Sequence, residues 1–498
     1  MSMGPMIPPF VRRPCFSFSS ALSFSSSQVI GTQIILLLIL LLYCVSRTCT
    51  CHGYVERKLR TRDGSVPVLV RLPEIDVCSK LRSLPRRSHI VSIDEFGGIG
   101  DGKTINTHAF QNAISYLSSY AHKGGGQLFI PPGQWLTGSF NLTSHLTLFL
   151  DKGATILASQ NLGDWPVVDA LPSYGRGREL PGGRHISLIH GSNLSDIIIT
   201  GDNGTIDGQG QVWWELHANG SLDYTRGHLL ELMNSRDVVI SNLTFINSPF
   251  WTIHPVYCRN VLINYLTILA PFESPNTDGI DPDSSSRVCI EDCYIENGDD
   301  LISIKSGWDQ YGMNYGHRSS KIIIQRLSGQ TRSSAGIALG SEMSGGISNV
   351  YVVNLKLQHA STGIRIKSAQ GRGGYIKNIY ISDAIFHNVR TAIGFTAFYG
   401  EHPDDKYDPN AFPHIHSIYI ENIQGDNISM AGDFQGLKGY PYHDIFLRNI
   451  TLNATTTSQM WNCSFVEGYS ESVSPEPCDE LLRRQHTQEY CSSCIEKV

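Results

Sequence analysis

Charged residues are scarce in this chain of 498 residues, where Asp, Glu, Lys and Arg make up 17% of the total against about 25% in average proteins. This scarcity disfavours long helices laced with salt bridges and, together with 47 glycines, favours short strands joined by tight turns. An excess of positive charge is also lacking, since the formal net charge is −6. Nucleic acid is therefore a poor candidate for a partner, because such binding depends on Lys and Arg neutralising phosphates.

Two further absences narrow the fold class. No helical patterns of about 10–15 residues separate the β-rich segments, which disfavours a doubly wound α/β sheet. Two-residue Asn-Gly or Asp-Gly turns between alternating strands are not the rule either. A β-sandwich or propeller would need such hairpins, so both are disfavoured.

What the chain does contain is a repeat. Five short segments share one pattern, and their central isoleucines, at positions 280, 302, 337, 364 and 393, are separated by 22, 35, 27 and 29 residues. A unit that recurs at this scale cannot bury its apolar face alone and must stack on its neighbours. The repeat predicts a solenoid, which can remain a single domain at this length because it grows by adding coils.

A second pattern consists of a polar residue followed by three β-formers. It occurs in the segments Asp196–Ile199, Asp237–Ile240, Asn260–Ile263, Asn349–Val352, Asn378–Ile381, Ser417–Ile420 and Asp444–Leu447. We expect each coil to contribute one strand to each of several parallel sheets. The predicted fold is all-β, a right-handed parallel β-helix.

The start of the solenoid has a helical pattern. Apolar residues recur at helical spacing, at Ala109, Phe110, Ala113, Ile114 and Leu117. A short amphipathic helix there would cover the core that an end coil exposes. We predict a linker over residues 51–88, the β-helix over 89–460 with its strand-rich part beginning at Gln127–Ile130, and a Cys-containing tail over 461–498.

The chain has one long apolar run, of 12 residues at positions 34–45, which follows Arg12 and Arg13. A basic flank and a run of this length are typical of a secretory signal peptide, predicted here within residues 1–50. Counted from Val29 to position 45, the run reaches 17 residues, the lower limit of a membrane span. The alternatives are a secreted protein of the extracellular space or cell wall and a type II membrane-anchored one, held through residues 29–45.

Cysteines and glycosylation sequons agree with the secretory pathway. Four of the 12 cysteines lie near the end, at 463, 478, 491 and 494, and Cys289 and Cys293 are close in sequence. No His partners at zinc-finger spacing accompany them, so disulfides are favoured over zinc. Nine N-x-Ser/Thr sequons occur, several within predicted strands, and we expect only a subset to carry glycan.

The repeat brings acidic residues together. Asp278 and Asp300 each precede an aligned isoleucine by two positions, and parallel strands are about 4.8 Å apart. We expect these two residues to stack, with Asp299 beside them. Three carboxylates in one patch repel, so at least one should hold a proton above its usual pKa, as glycoside hydrolysis requires. A calcium site, or solvated acids at a turn, is the alternative.

Cations occupy the same repeat. Arg365 and Lys367 flank an inward-facing isoleucine, so strand alternation places both on the outer face. Lys305 holds the position that matches Lys367, and we expect it above Asp299 and Asp300. Cations beside a carboxylate cluster suit an acidic substrate, although an ordinary solvated surface pair would look the same in sequence.

These residues also resemble a family. The segments Ser274–Ile280, Gly298–Asp300 and Arg365–Lys367 are similar, in order and spacing, to three of the four signature motifs of polygalacturonases, the pectin-cleaving glycoside hydrolases of family 28. The resemblance covers roughly residues 88–460 and implies a pectin-lyase-like solenoid with its N-terminal capping helix. It implies metal-free, cofactor-free inverting hydrolysis of α-1,4-linked galacturonan, and we expect a monomer.

The resemblance also implies roles for individual residues. Asp299 would be the general acid, and Asp278 and Asp300 would activate the attacking water, with carboxyl groups about 6.5–9.5 Å apart for inversion. Asn276, Arg365 and Lys367 would hold the sugar and its carboxylate. Tyr399 is a weaker candidate for packing against a sugar ring.

The chain departs from the family at its Gly-His-Gly motif, where Ser334, Ala335 and Gly336 stand. The missing imidazole removes one group that tunes the acid and leaves a rhamnogalacturonan hydrolase or a non-catalytic pectin-binding protein as alternatives. A calcium-dependent pectate lyase is a third, although no Arg base beside an acidic trio is evident. The segment Gly340–Gly346 is similar to members that trim chain ends, which suggests exo action.

Overall fold

The computed structural model describes residue 81, residues 85–454 and residues 460–482. The predicted signal or anchor, most of the linker, Cys491 and Cys494 lie outside these residues. None of the helices in the described part has the length and apolarity needed to cross a membrane.

Short strands dominate the described residues. They are β1 (His89–Ser92), β2 (Gly126–Ile130), β3 (Gly133–Thr137), β4 (Phe140–Asn141), β5 (Leu146–Leu150), β6 (Ala154–Ala158), β7 (Val167–Val168), β8 (Arg184–His185), β9 (Ile189–Ser192), β10 (Ser195–Gly201), β11 (Gly204–Asp207), β12 (Leu230–Met233), β13 (Arg236–Ser241), β14 (Leu243–Ile246), β15 (Ile253–Val256), β16 (Arg259–Asn264), β17 (Thr267–Leu269), β18 (Ser286–Glu291), β19 (Tyr294–Glu296), β20 (Ile302–Ile304), β21 (Ser319–Leu339), β22 (Ile347–Lys367), β23 (Tyr375–Thr396), β24 (His414–Ile428), β25 (Met430–Gln435), β26 (Tyr442–Ala454), β27 (Trp461–Ser464) and β28 (Val466–Ser474). The α-helices are α1 (Thr107–Ser118), α2 (Gln211–Ala218) and α3 (Asp309–Tyr315), and 3₁₀ turns span Ile93–Phe96, Ala121–Lys123, Leu162–Asp164 and Asp479–Leu481.

The strands form parallel ladders along the solenoid. Strands β10, β13, β16, β18 and β21 pair in succession, each with the next coil, and the same holds for β21 to β24. Among the described strands, only the short pair β7 and β8 is antiparallel. The right-handed parallel β-helix predicted from the sequence is confirmed.

The predicted alignment of isoleucines is the register of one of these ladders. Ile280 pairs with Ile302, Ile302 with Ile337, and the ladder continues through the isoleucines at 364 and 393. All five side chains are buried. The ladder also includes Ile253 one coil earlier, which the sequence pattern did not reveal because His254 and Pro255 follow it.

The polar residues of the second pattern lie at the corners of the coils. All seven first residues of these segments have positive φ angles between 54° and 58°, the left-handed region that Asn and Asp tolerate better than most side chains. The chain therefore turns at these residues and enters the next strand with its apolar side chains inward. Arg287 and Lys321 occupy the same corner, each with φ 57°, although neither residue type favours this conformation.

The capping helix is confirmed. In α1 the five predicted apolar residues are its buried ones, and Phe110 stacks on Phe140 of β4 with ring centroids 4.4 Å apart. The first strand, β1, lies at the predicted start of the β-helix and pairs with β2, whereas both β27 and β28 continue the ladders beyond the predicted end at residue 460. Residues 461–474 therefore belong to the last coil and not to a separate tail.

The cysteines form disulfides only in part, although the sequence led us to expect disulfides. Cys463 and Cys478 form a disulfide, and Cys289 is disulfide-bonded. Cys293, although close to Cys289 in sequence, is a buried free thiol, as is Cys258. The asparagines of all nine sequons are exposed, including those within strands.

Candidate active site

A cleft of about 480 Å³ opens over the isoleucine ladder. Its walls come from the ladder coils and from loops that follow β7, β20 and β23. Of the predicted site residues, Asn276, Asp278, Asp299, Lys367 and Tyr399 line it. The cleft is therefore formed by segments that are far apart in sequence and that the coils bring together.

Two of the predicted carboxyls, Asp278 and Asp299, line this cleft, and Asp300 lies fully buried beside them. The backbone of Gly279 donates to the carbonyl of Asp300, and the backbone of Leu301 donates to the carbonyl of Ala335, so these positions stack coil on coil as expected. One carboxylate oxygen of each of Asp278, Asp299 and Asp300 lies within 4.8 Å of the others.

Asp300 is the carboxylate with the most partners. Lys367 Nζ lies 2.5 Å from its Oδ2, while the Ser334 hydroxyl and the Ala335 backbone amide donate to Oδ1 at 2.6 and 3.0 Å. Burial opposes its charge, but the Lys367 ammonium and the hydrogen bonds outweigh burial and lower the pKa of Asp300. Asp300 is therefore the ionised member of the cluster, and Ser334 and Ala335 of the altered motif help to keep it so.

Asp299 is less buried than Asp300 and accepts fewer hydrogen bonds. Its Oδ1 accepts from the Asp300 backbone at 2.8 Å, and Asn276 Nδ2 lies 3.4 Å from its Oδ2. Burial and the neighbouring Asp300 carboxylate raise the pKa of Asp299. Asn276 is itself held by buried Arg226, which donates to its Oδ1 at 2.8 Å.

Of the three carboxyls, Asp278 has the fewest stabilising contacts. It is 3% exposed, and its nearest cation is Lys305, whose Nζ lies 3.8 Å from Oδ2. Burial, followed by repulsion from Asp299 and Asp281, raises the pKa of Asp278 well above its usual value. One patch thus holds an ionised carboxylate, Asp300, and two carboxyls with raised pKa values, Asp299 and Asp278. The sequence predicted such a mixture from the stacking of the coils.

Lys305 lies deeper than expected. Its ammonium is beside Asp278 and Asp281 and 3.3 Å from Glu342, and it lies 4.2 Å from the ring centroid of Trp251, so it does not sit above Asp299 and Asp300 as predicted. Neither oxygen of the buried Asp281 carboxylate has a hydrogen-bond partner among the described residues. Burial raises the pKa of Asp281 to about 7 against the opposing effect of Lys305.

The predicted cations flank one aromatic ring. The Arg365 guanidinium and the Lys367 ammonium lie 5.7 and 5.4 Å from the centroid of Tyr399. Both side chains therefore share a face, as expected, but Lys367 is 5% exposed and is committed to Asp300. Arg365 is half-buried and makes no ion pair with the described residues.

Sequence reasoning missed a wall of ion pairs at the cleft. Arg178 bridges buried Glu342 at 2.5 Å and exposed Glu401 at 2.6 Å, and its guanidinium lies 4.5 Å from the ring centroid of Trp308. The loop carrying Glu401 is tied down further by His402, whose Nδ1 is 2.5 Å from Asp309. No motif marks these residues, since they lie in loops and pair across 164 and 223 positions.

A second buried charged cluster lies behind Trp251. His254 contacts Glu231 through Nδ1 at 2.9 Å and Asp283 through Nε2 at 3.3 Å, and Arg184 pairs with Glu231 at 2.7 Å. Burial opposes protonation of His254, but the two carboxylates raise its pKa to about 9. With both ring nitrogens directed at carboxylates, this imidazolium is a poor metal ligand, although His228, Glu231 and His254 lie close enough to surround an ion.

Comparisons with known proteins match the part of the chain that contains the carboxylate cluster. The family model described as Glycosyl hydrolases family 28 matches residues 177–474. A probable polygalacturonase of Vitis vinifera is 52% identical over 397 residues, covering 79% of this chain and 81% of that protein. A hyperthermoactive exopolygalacturonase of Thermotoga maritima superposes with a TM-score of 0.68 at 26% identity, covering 80% of this chain and 95% of the other.

A polygalacturonase of Erwinia carotovora shares the fold as well. Its TM-score is 0.62 at 23% identity, over 78% of this chain and 98% of that one. The matched residues include the whole carboxylate cluster and the cations around it.

Proposed function

The chain belongs to glycosyl hydrolases family 28 and is a glycoside hydrolase, and on that premise we propose that it cleaves the α-1,4-galacturonosidic bonds of pectin. The observation that carries the proposal is the carboxylate cluster, in which oxygens of Asp278, Asp299 and Asp300 lie within 4.8 Å of one another. One ionised and two protonatable carboxyls supply both the base and the acid that glycoside hydrolysis needs.

We assign the general acid to Asp299. Its pKa is raised by burial and by Asp300, so it holds a proton, and it is the most exposed of the three carboxyls and can reach a leaving oxygen in the cleft. Asp300, kept ionised by Lys367, takes the proton of the attacking water. Asp278 orients that water from the other side.

The stereochemical outcome is inversion in this proposal, as the family resemblance implies. The alternative is a double displacement with retention, as in enzymes that use one carboxylate as a nucleophile. Proton NMR of the first sugar released decides between them. The α-linked substrate gives a β-anomer first if the water attacks directly, and an α-anomer contradicts inversion.

The substrate class follows from charge. Arg365 makes no ion pair with the described residues and lies beside the cleft residue Tyr399, so it is available for a uronate carboxylate. Lys367 acts on Asp300 first and contributes positive charge to the same side. Galacturonan is favoured over rhamnogalacturonan for this reason, with Tyr399 beside the sugar and Asn276 bonded to the acid.

No metal is needed for this chemistry. Two ammonium groups, of Lys305 and Lys367, already lie 3.8 and 2.5 Å from the carboxylates, and they would repel a divalent cation placed among the three acids. Full activity in the presence of a chelator is expected, whereas a calcium-dependent lyase would lose activity and give unsaturated products.

We also propose exo action. The ion pairs of Arg178 with Glu342 and Glu401 form one wall of the cleft, and the exopolygalacturonase of Thermotoga maritima matches most of the described fold. We propose that the protein acts outside the cell, directed by its first 50 residues.

The test is product analysis on homogalacturonan and rhamnogalacturonan side by side. Release of short galacturonate products from homogalacturonan, with a slow fall in viscosity, is the expected result. Cleavage of rhamnogalacturonan alone would instead fit the loss of the family's histidine at Ala335. No cleavage of either would indicate a binding protein.

A further inference from the structure

Arg176 lies in the loop between β7 and β8 and lines the cleft. Its guanidinium donates to three backbone carbonyls, through Nε to Gly177 at 3.0 Å, through one terminal nitrogen to Glu179 at 3.3 Å and through the other to Pro403 at 3.1 Å. An arginine has five N–H donors, so one remains on each terminal nitrogen. The side chain is fixed in place by the loops yet still has donors to offer.

Arg176 forms no ion pair among the described residues, unlike its neighbours. Arg178 pairs with Glu342 and Glu401, and Arg226 pairs with Glu179. Burial and repulsion from Arg178 lower the pKa of Arg176, and the Asp404 carboxylate offsets only part of this effect. A half-buried cation in a cleft has a strong preference for an anionic ligand, because the desolvation of its charge is otherwise uncompensated.

We propose that Arg176 binds the carboxylate of a galacturonate unit, at a subsite separate from the one that Arg365 marks. This inference rests on the proposed function. The two arginines come from different elements, a loop after β7 and strand β22, and neither is neutralised by an acid in the described structure. An acidic sugar bound at Arg176 would meet a donor already held by the Gly177, Glu179 and Pro403 carbonyls, so little ordering is needed on binding.

The proposal predicts discrimination between acidic and neutral sugars. Arg176→Gln should raise KM for galacturonate oligomers by about tenfold or more, the usual effect of losing a hydrogen bond to a charged group, with a smaller change in kcat. Methyl-esterified oligomers, which lack the carboxylate charge, should be affected far less. Arg176→Lys, which keeps the charge, should retain part of the preference for acidic over esterified oligomers.

Arg236→Gln is the matched control. Arg236 is exposed at the start of β13 and is not among the residues of the cleft, so it reports general attraction of a polyanion to surface charge. Its removal should leave the ratio of kcat/KM for acidic and esterified oligomers unchanged.

The outcomes are distinguishable. If wild-type protein cleaves galacturonan but Arg176→Gln leaves the acid-to-ester ratio unchanged, the subsite is wrong and the proposed function stands. An equal loss on both substrates in the Gln and Lys variants would mean that Arg176 only holds the loops, and would also overturn the subsite. If wild type cleaves neither substrate, the proposed function itself fails.

Discussion

Two clusters of buried charge lie on either side of Trp251 and differ in how their charges are satisfied. In the inner cluster, His254 faces a carboxylate at each ring nitrogen, Glu231 also pairs with Arg184, and Asp283 also accepts from Tyr174 at 2.6 Å. In the outer cluster, formed by Asp278, Asp281, Asp299 and Asp300, the hydrogen bonds are shared unequally, and Asp300 accepts three of them. Asp278 and Asp281 face the Lys305 ammonium at 3.8 and 3.6 Å, and neither carboxylate oxygen of Asp281 accepts a hydrogen bond from the described residues.

The difference separates a structural role from a chemical one. Fully paired charges lose stability when a partner is removed, because the remaining charge is left buried. Buried carboxyls that lack hydrogen bonds cost stability in the folded protein and persist where their altered pKa is useful. Trp251 contacts both clusters, through His254 at 5.1 Å between ring centroids and through Lys305, and the charge of His254 also acts on Asp281, so the two clusters are adjacent and differ in how their charges are satisfied.

The largest expected effect comes from the acids of the outer cluster. Asp299→Asn should lower kcat by about 10²–10⁴-fold, the range for loss of a general acid, with little change in thermal stability. Asp283→Asn in the inner cluster should do the reverse, lowering the midpoint of unfolding while folded protein keeps most of its kcat. Reducing-sugar release and thermal unfolding of both variants measure this. An unchanged rate in Asp299→Asn would show that the acid is assigned wrongly.

Removal of Lys367 should move the pH profile. The ammonium lowers the pKa of Asp300, so in Lys367→Met that pKa rises and the base becomes protonated at higher pH. The acidic limb of kcat/KM should therefore shift to higher pH. An unshifted acidic limb would mean that Asp300 does not titrate in the catalytic step.

The inner cluster should give stability a distinct pH dependence. The folded-state pKa of His254 is raised to about 9 from about 6.5 in the unfolded chain. Its stabilisation is therefore fully present below about pH 6.5 and is lost as pH rises through about 9. His254→Gln should lower the free energy of unfolding by about 3–5 kcal/mol at low pH and remove this slope. Urea unfolding between these pH values measures it, and a slope that persists in the variant would contradict the assignment.

The smallest effect concerns the coil corners. Lys321 has φ 57°, so Lys321→Asn should stabilise the protein by up to about 1 kcal/mol, since Asn tolerates this conformation better. Lys356→Asn is the control, because Lys356 is exposed within β22 without a positive φ. Urea unfolding should show a gain only at 321, and equal effects at both positions would argue against strain at the corner.

Sequence reasoning gave the ladder and the carboxylates because both follow from local repetition. Once Ile280 and Ile302 are aligned, the placement of Asp278 beside Asp300 follows from strand geometry. The partner of Lys367 did not follow, because strand alternation specifies which face a side chain occupies but not how far its ammonium reaches into a cluster.

The loop residues were beyond sequence reasoning for a different reason. Arg178 finds Glu342 and Glu401 through loop conformations that no repeat encodes, and Arg226 reaches Asn276 across 50 positions. The absence of a histidine at Ala335 was visible. Its consequence, that the Ala335 amide and the Ser334 hydroxyl donate to Asp300, required the structure.

The most direct test is mass spectrometry of the products formed from homogalacturonan in water enriched in heavy oxygen. If the carboxylate cluster activates water, each new reducing end will be saturated and will carry one heavy oxygen. Unsaturated products, or saturated products without the heavy oxygen, would contradict hydrolysis by these carboxylates.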